Sequence, residues 1–294
     1  MNAKTREIKN HCSPASGYRL GIVTPILKID EYARELAISL ESLRSRGCVF
    51  THLIVHASAG QPLQDEFPNA KLLQEREHTH GVYDALKQGF DHLIKEGITH
   101  LSWINADDLL EDGFEKVVHL SEKSTDAIVS GSVQWIAENG ESFGAVPQWR
   151  IRWGMRELFH RNIPPFTQQG MIFPKETWAA LGGFDTKYEL IADSVFWDKA
   201  LEAGYEVKFS HALAASYRIR RGQLSANQAK AAREFNDWHA SQPEKQGAGI
   251  LETLIILLFR VQNTPIYIRR FFSNQKMITS KAVEEGSFHK KNQI

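Results

Sequence analysis

Short apolar runs alternate with segments of helical periodicity through the first half of the chain, and this alternation constrains the fold most. The apolar runs at 20–25, 49–55, 70–73, 99–104 and 127–136 predict strands, and the segments at 30–47, 81–97 and 111–122 predict helices. Strands that alternate with helices pair in parallel through crossover connections. The sequence therefore predicts an α/β fold, a Rossmann-like, mostly parallel sheet flanked by helices.

The same pattern gives the domain organisation. Residues 1–17 mix charge, Ser, Pro and Gly without periodicity, which is typical of a mobile leader. Residues 18–240 are predicted to form one domain, with a regular half at 18–136 and a half at 137–240 built on loops and short helices. Towards the end of the second half, 204–209 and 214–217 predict closing strands and 225–239 predicts a helix. Residues 241–294 are predicted to be a C-terminal helical extension.

Composition and cysteine content indicate which partners and which location to expect. Lys and Arg together number 35, as do Asp and Glu, so no net field favours nucleic acid as a partner. The N-terminus lacks the apolar core of a secretory signal, and we expect a cytoplasmic protein. Cys12 and Cys48 have no metal or redox spacing and are interpreted as free thiols in a reducing compartment.

The segment 250–272 is rich in apolar residues, but Arg260 and Pro265 interrupt it and it is too short to span a bilayer. From residue 250 onward there are seven Lys or Arg and three Glu, which is compatible with an amphipathic helix at the inner face of the membrane. A helix packed on its own domain, or on a second subunit of a homodimer, explains the apolar run equally well.

The predicted strand at 99–104 leads directly into Asn105-Ala106-Asp107-Asp108. Adjacent carboxylates at the end of a buried strand are costly unless a cation, donors or water surround them. In an open α/β sheet, ligands bind beyond the carboxyl ends of the strands. Asp107 is therefore a candidate metal ligand, and the alternative is a polar turn before the next helix.

Two further segments carry candidate side chains. Asp193 lies at the predicted N-terminus of a helix that runs to 203, where it is either an N-cap or a carboxylate facing a cleft. Arg218, Arg220 and Arg221 form a basic loop that is either a solvated surface or a match for the oxygens of a diphosphate.

Four segments together resemble glycosyltransferase family 2, the inverting nucleotide-sugar transferases of the GT-A fold. They are 22–25 (IVTP), 81–86 (GVYDAL), 103–108 (WINADD) and 182–193, which begins GGFD and ends in Ala-Asp. The resemblance covers about residues 20–225, and the order of the segments makes it specific. It implies that 18–136 binds the nucleotide-sugar and that 137–240 faces the acceptor.

The resemblance also implies roles for individual residues. Asp107 would hold Mn²⁺ or Mg²⁺ against the diphosphate of the donor, most simply a UDP-sugar, and Asp193 would be the catalytic base. The acceptor would be a hydroxyl of a glycan or glycolipid, in cell-surface polysaccharide synthesis. Trp153 and Trp197 are candidates for stacking on the acceptor sugar. The donor pocket would be shaped by Thr24, Pro25, Tyr83, Asp84, Asn105, Ala106 and Asp107.

The chain departs from the family pattern on the nucleotide side. His56 stands where relatives have an acidic residue, Lys87 where they have Asn, and Gln168 where histidine is common. The segment 77–80 also lacks the Asp that relatives favour. These departures leave open a non-catalytic nucleotide-binding or scaffolding protein. A sugar nucleotidyltransferase is less favoured, because 24–27 has no glycine for a phosphate loop.

Overall fold

The computed structural model describes residues 17–57, 63–79, 81–242 and 249–272. The predicted leader at 1–17, apart from its last residue, and the end of the predicted extension at 273–294 lie outside these ranges. Within them the strands are β1 (Leu20–Ile26), β2 (Thr51–His56), β3 (Ala70–Gln74), β4 (His100–Trp103), β5 (Leu109–Leu110), β6 (Ile128–Ile136), β7 (Ser142–Ala145), β8 (Met171–Pro174) and β9 (Val207–Arg218).

The helices flank these strands. They are α1 (Glu31–Ser45), α2 (Leu63–Glu66), α3 (Gly81–Lys95), α4 (Phe114–Glu122), α5 (Met155–His160), α6 (Lys175–Leu181), α7 (Ala192–Glu202), α8 (Gln228–Ala240), α9 (Ile250–Gln262) and α10 (Thr264–Phe272). The predicted cap of α1 is present, since Oδ1 of Asp30 accepts a hydrogen bond of 3.2 Å from the backbone N–H of Ala33.

All nine strands belong to one sheet, in the order β3-β2-β1-β4-β8-β6-β9-β5, with β7 paired to β6. The strands β3, β2, β1 and β4 pair in parallel. Beyond β4 the sheet becomes mixed, because β8 pairs antiparallel with both β4 and β6, while β6 and β9 are parallel. The α/β fold with a Rossmann-like sheet flanked by helices is confirmed.

A core lies on each face of the sheet. On one face α1 and α4 bury Leu36, Leu40 and Phe114 among aliphatic strand residues. The other face is rich in aromatic side chains that pack mainly edge to face, which is a favourable arrangement for their rings. These side chains are Phe90, Trp103, Phe173, Trp178, Phe184, Phe196 and Trp197.

Of the two tryptophans predicted to stack on the acceptor sugar, one is buried and the other is accessible. Trp197 is buried and stacks on Trp103, with ring centroids 5.8 Å apart, so it cannot stack on an acceptor sugar. Its position on α7 turns it into the aromatic core. Trp153 is half exposed, and its ring meets Trp149 edge to face.

Two segments of the second half differ from the predicted elements. The strands predicted at 204–209 and 214–217 are one strand, β9, whose pairing with β6 shifts register on both sides of Ser132. The helix predicted at 225–239 begins at Gln228, after a short 3-10 turn at Leu224–Ala226. The strand could not be recognised as continuous from the sequence, because Ser210 and His211 interrupt its apolar pattern. They lie where the irregular pairing adds residues and breaks the alternation of a regular strand.

The apolar segment at the C-terminal end forms two helices, α9 and α10, rather than one. Ile255 and Phe259 of α9 are buried in the aromatic core, and Asn263 bonds to the backbone of Gln148. The interpretation as a helix packed on its own domain is therefore correct for this face of α9. Across the described ranges, no helix is long and apolar enough to cross a membrane.

Candidate active site

The turn after β4 places Asn105, Asp107 and Asp108 at the carboxyl end of the parallel strands. The backbone N–H of Asp108 donates to the carbonyl of Asn105 at 3.1 Å, which closes the turn. Ligands bind at this edge in open α/β sheets. The turn also faces the C-terminal end of β9, since Arg218 and Arg220 both contact it.

Asp108 is fully buried and belongs to the framework of the site. Its Oδ1 accepts from the backbone N–H of Arg218 at 2.8 Å, and its Oδ2 accepts from the side-chain amides of Gln169 at 2.9 Å and Asn105 at 3.2 Å. Burial, together with the charge of Asp107, raises the pKa of Asp108 to about 8. Asp108 thus ties the turn after β4 to β9 and to the segment before β8.

Arg218 is a buried anchor and not part of a solvated surface. Its guanidinium donates to the backbone carbonyls of Asp107 at 2.9 Å, Ala137 at 3.2 Å and Glu138 at 2.8 Å, and it forms an ion pair with Glu35. The solvated-surface interpretation of the arginine loop is therefore wrong for this residue. A buried charge needs such partners, because desolvation without them is costly.

Asp107, the predicted metal ligand, forms an ion pair with Arg220. The Nε of Arg220 lies 2.7 Å from Oδ2 of Asp107, and the two side chains are 29% and 14% exposed. The neighbouring Asp108 is already saturated with donors, as described above. In the described part of the chain, no group of three or more His, Cys, Asp or Glu side chains is arranged to hold a metal ion.

These contacts test whether the site fits a divalent cation. Mn²⁺ and Mg²⁺ need oxygen ligands, yet Oδ2 of Asp107 is bound to a guanidinium. A cation at Asp107 would also lie beside the positive charge of Arg220. As the side chains stand, the residues do not fit the expected metal.

Asp193 lies in the first turn of α7 and does not cap it in the usual way. Its Oδ1 accepts hydrogen bonds of 2.8 Å from the hydroxyl of Tyr83 and from the backbone N–H of Ser194. Burial raises the pKa of Asp193, and these two donors oppose that shift because they stabilise the carboxylate. The carboxylate is thus oriented by α3 and by the start of its own helix.

Tyr217 lies at the end of β9, and its hydroxyl lies 2.9 Å from the hydroxyl of Ser225. The charges of Asp108, Asp107 and Asp193 all add to the effect of burial and raise the pKa of its phenol. The predicted metal ligand and the predicted base thus both lie within electrostatic range of the end of β9.

Sequence reasoning missed Tyr217, Gln169 and the buried role of Arg218. The sequence does place Tyr217 and Arg218 at the end of an apolar strand. A charged side chain such as that of Arg218 needs a partner in this position, which indicates a buried ion pair or hydrogen bond. Nothing in the sequence indicated that Gln169 donates to Asp108.

The predicted donor-pocket residues divide into two groups. Thr24 is fully buried, and its hydroxyl lies 2.9 Å from Nε2 of His52, so its side chain cannot contact a donor. This is a correction: the strand position turns Thr24 towards β2. The others remain at least partly accessible at the same edge of the sheet: Pro25, Tyr83, Asp84, Asn105, Ala106 and Asp107.

The residues that depart from the family pattern lie around this edge. His56 is the last residue of β2, and the backbone N–H of Glu75 donates to its carbonyl at 2.9 Å. Lys87 forms an ion pair of 3.7 Å with Asp91, four residues later on α3. Gln168 is half-buried, next to Gln169, whose side-chain amide donates to Asp108. Lys87 is thus a helix-surface side chain.

Comparison with known proteins supports the fold. No family model matches the sequence, and no curated protein matches it. Among solved structures, Staphylococcus aureus TarS, a glycosyltransferase of GT-A-like fold, matches with a TM-score of 0.58 and 12% identity over 83% of this chain. The match covers 43% of that TarS chain, so this protein spans less than half of its length.

Two structures of TarS residues 1–349 match as well. The complex of TarS with UDP has a TM-score of 0.55 and 11% identity, covering 90% of this chain and 76% of that chain. The other structure has a TM-score of 0.51 and 12% identity, covering 82% and 78%. The fold matches that of glycosyltransferase structures. At this identity the likeness establishes the fold, and function has to be argued from the site.

Proposed function

We propose that this protein is an inverting glycosyltransferase that moves a sugar from a nucleotide-sugar to a hydroxyl of a glycan or glycolipid acceptor. The observation that carries the proposal is a pair of carboxylates held by neighbouring donors, Asp107 by Arg220 and Asp193 by Tyr83. One carboxylate lies on the turn after β4, where the family resemblance puts the donor diphosphate. The other lies on the acceptor-side half, where the proposed acceptor hydroxyl would approach it.

In the proposed step Asp193 is the general base. Its carboxylate takes the proton of the acceptor hydroxyl while that oxygen forms a bond to the anomeric carbon of the sugar. The bond between that carbon and the diphosphate oxygen breaks on the opposite face, and its electron pair leaves with the nucleoside diphosphate. A single displacement of this kind inverts the anomeric carbon. Tyr83 keeps Asp193 oriented for it.

We propose that the donor is a UDP-sugar and that the transferred sugar is a hexose. Support comes from the fold shared with TarS, which has been crystallised in complex with UDP. Tyr83, Asp84, Asn105 and Ala106 would line the donor side. The step includes no divalent cation, because Asp107 is paired with Arg220.

We also propose a location at the membrane surface. The faces of α9 and α10 that do not pack on the domain expose Leu254, Leu257, Phe271 and Phe272, with Arg260 and Arg269 between them. Apolar side chains interleaved with arginines are typical of helices that lie on anionic lipid. A cytoplasmic enzyme docked in this way would meet a glycolipid acceptor used in cell-surface polysaccharide synthesis. A homodimer through the same face is the competing arrangement.

A non-catalytic nucleotide-binding protein is the second candidate. The observation that favours it is the ion pair between Asp107 and Arg220, which occupies the carboxylate that the family resemblance assigns to a metal. Both candidates predict that the protein binds a nucleotide-sugar, and only the transferase predicts that it transfers the sugar.

The experiment that tests the proposal is a screen of nucleotide-sugars by thermal stabilisation, followed by assay of nucleoside diphosphate release. A ligand that binds only the native state raises its apparent stability with ligand concentration. We expect stabilisation by UDP and by at least one UDP-sugar, and release of UDP when acceptor glycans or glycolipids are added. Binding without release would favour the non-catalytic candidate.

A further inference from the structure

Arg220 combines a fixed position with unused donors. Its Nε is bound to Asp107, and its guanidinium lies 5.7 Å from the ring centroid of Tyr32. Among the described residues, no hydrogen bond is made by its two terminal nitrogens. A guanidinium carries five N–H donors in a planar fork, so four donors of Arg220 make no hydrogen bond to the described residues.

The chain around Arg220 explains why this side chain is held there. Arg218 is buried and bonded to three carbonyls, so the end of β9 is anchored to the turn after β4. Arg220 lies two residues further on, where the loop leaves the sheet, and it is 29% exposed. Its pKa is raised by the hydrogen bond and charge of Asp107, which outweigh burial, so the guanidinium stays charged.

We propose that Arg220 binds the diphosphate of the donor and that Asp107 is the positioning residue that aims it, an inference that rests on the proposed function. Guanidinium groups bind phosphate oxygens with paired, charge-assisted hydrogen bonds. Fixed positive charge at a leaving diphosphate stabilises the negative charge that develops on it. Arg220 thus supplies from the chain the charge that the family resemblance assigns to a cation. Binding of the nucleoside diphosphate is then independent of divalent metal.

The test is calorimetric titration with UDP in excess EDTA and again with added Mn²⁺. The variants are Arg220→Ala, Arg220→Lys and, as the matched control, Arg221→Ala, whose side chain is exposed on the same loop. We expect wild-type protein to bind UDP in EDTA. Arg220→Ala should weaken binding about tenfold or more, because a hydrogen bond to a charged group contributes about 1.5–3 kcal/mol. Arg220→Lys should recover part of the loss, and Arg221→Ala should stay within about twofold of wild type.

The role of Asp107 is tested by a double-mutant cycle. Asp107→Asn should weaken UDP binding in the wild-type background and have little further effect in Arg220→Ala, because its contribution acts through the arginine. A merely structural role of Asp107 would give additive losses. Thermal unfolding of each variant verifies that it is folded.

Several results would overturn the inference, and they differ from those that overturn the proposed function. UDP binding that appears only with Mn²⁺, or that is unchanged in Arg220→Ala, rejects Arg220 as the diphosphate ligand while the transferase proposal stands. If wild-type protein binds no nucleoside diphosphate under either condition, both proposals fail.

Discussion

The hydroxyl of Tyr83 donates a hydrogen bond of 2.8 Å to Oδ1 of Asp193, across 110 residues of sequence. The bond joins the first turn of α3 to the first turn of α7 and so connects the donor side of the site to the predicted base. It stabilises the charged form of Asp193 against burial, which raises the pKa of the carboxyl group. Tyr83 is therefore expected to control the pH at which Asp193 can accept a proton.

Replacement of Tyr83 by Phe should move the acidic limb of the activity profile to higher pH. Without the hydrogen bond, the pKa of Asp193 rises further, and more of the base is protonated at a given pH. We expect kcat/KM at the acid end to fall by about tenfold and to recover as the pH is raised. The measurement is a pH profile of kcat/KM, with Tyr205→Phe as the control, since Tyr205 follows the far end of α7. An unshifted limb would show that Tyr83 does not act through Asp193.

Arg218 and Glu35 form one ion pair but should contribute very differently to stability. Arg218→Met leaves the carbonyls of Asp107, Ala137 and Glu138 without their donor, and each loss costs about 1–3 kcal/mol. Glu35→Gln removes the counter-charge of the buried guanidinium but keeps an acceptor oxygen and the three carbonyl contacts, so it should cost less than Arg218→Met. Urea unfolding of both variants measures the difference. Equal losses would mean that the ion pair, and not the carbonyl contacts, makes Arg218 important.

His52 should make the fold sensitive to acid. Burial and the charge of Arg44 lower the pKa of His52 from 6.5 to about 3. The unfolded chain therefore binds a proton that the native state rejects. The contribution is fully present above pH 6.5 and is lost as the pH falls towards 3, at up to about 1.4 kcal/mol per pH unit.

The measurement for His52 is the free energy of unfolding between pH 7 and pH 4, taken in steps of about one unit. His52→Gln should show a shallower dependence than wild type. His119→Gln alters an exposed histidine and should leave the slope unchanged. Identical slopes in all three proteins would contradict the buried neutral state of His52.

The proposed membrane contact predicts binding to anionic vesicles. Flotation with phosphatidylcholine vesicles that contain phosphatidylserine should recover the wild-type protein, and binding should fall with added salt. The double substitution Leu257→Ser and Phe271→Ser should abolish it, while Ile38→Ser on α1, which is 71% exposed, should not. If the double variant instead changes the oligomeric state in sedimentation, the surface is a subunit interface.

Periodicity predicted the elements whose environment is regular. Strands buried on both sides read as continuous apolar runs, and α1 and α3 show one apolar face, so both were visible in the sequence. The insertion of β8 between β4 and β6 was not predictable in this way. Strand order depends on long-range pairing, and local apolar pattern carries little information about it.

The candidate site was predictable in part for a similar reason. Asp107 and Asp193 stand next to recognisable element boundaries, where a carboxylate is unusual. Arg220, which forms an ion pair with Asp107, lies 113 residues away from it in sequence, and Tyr83, which donates to Asp193, lies 110 residues away. The burial of Thr24 against His52 depends on which face of β1 meets β2, and a continuous apolar strand does not reveal this.

The division of labour between donor binding and proton transfer is tested most directly by Asp193→Asn. Two quantities are measured on it: the affinity for UDP by calorimetry, and the rate of UDP release from the UDP-sugar that best stabilises the protein, with acceptor present. Asp126→Asn, at an exposed carboxylate that precedes β6, is the control. We predict an unchanged affinity and a rate reduced by about a hundredfold or more. Wild-type turnover in Asp193→Asn, or a loss of UDP affinity that matches the loss of rate, would contradict the assignment of Asp193 as the base.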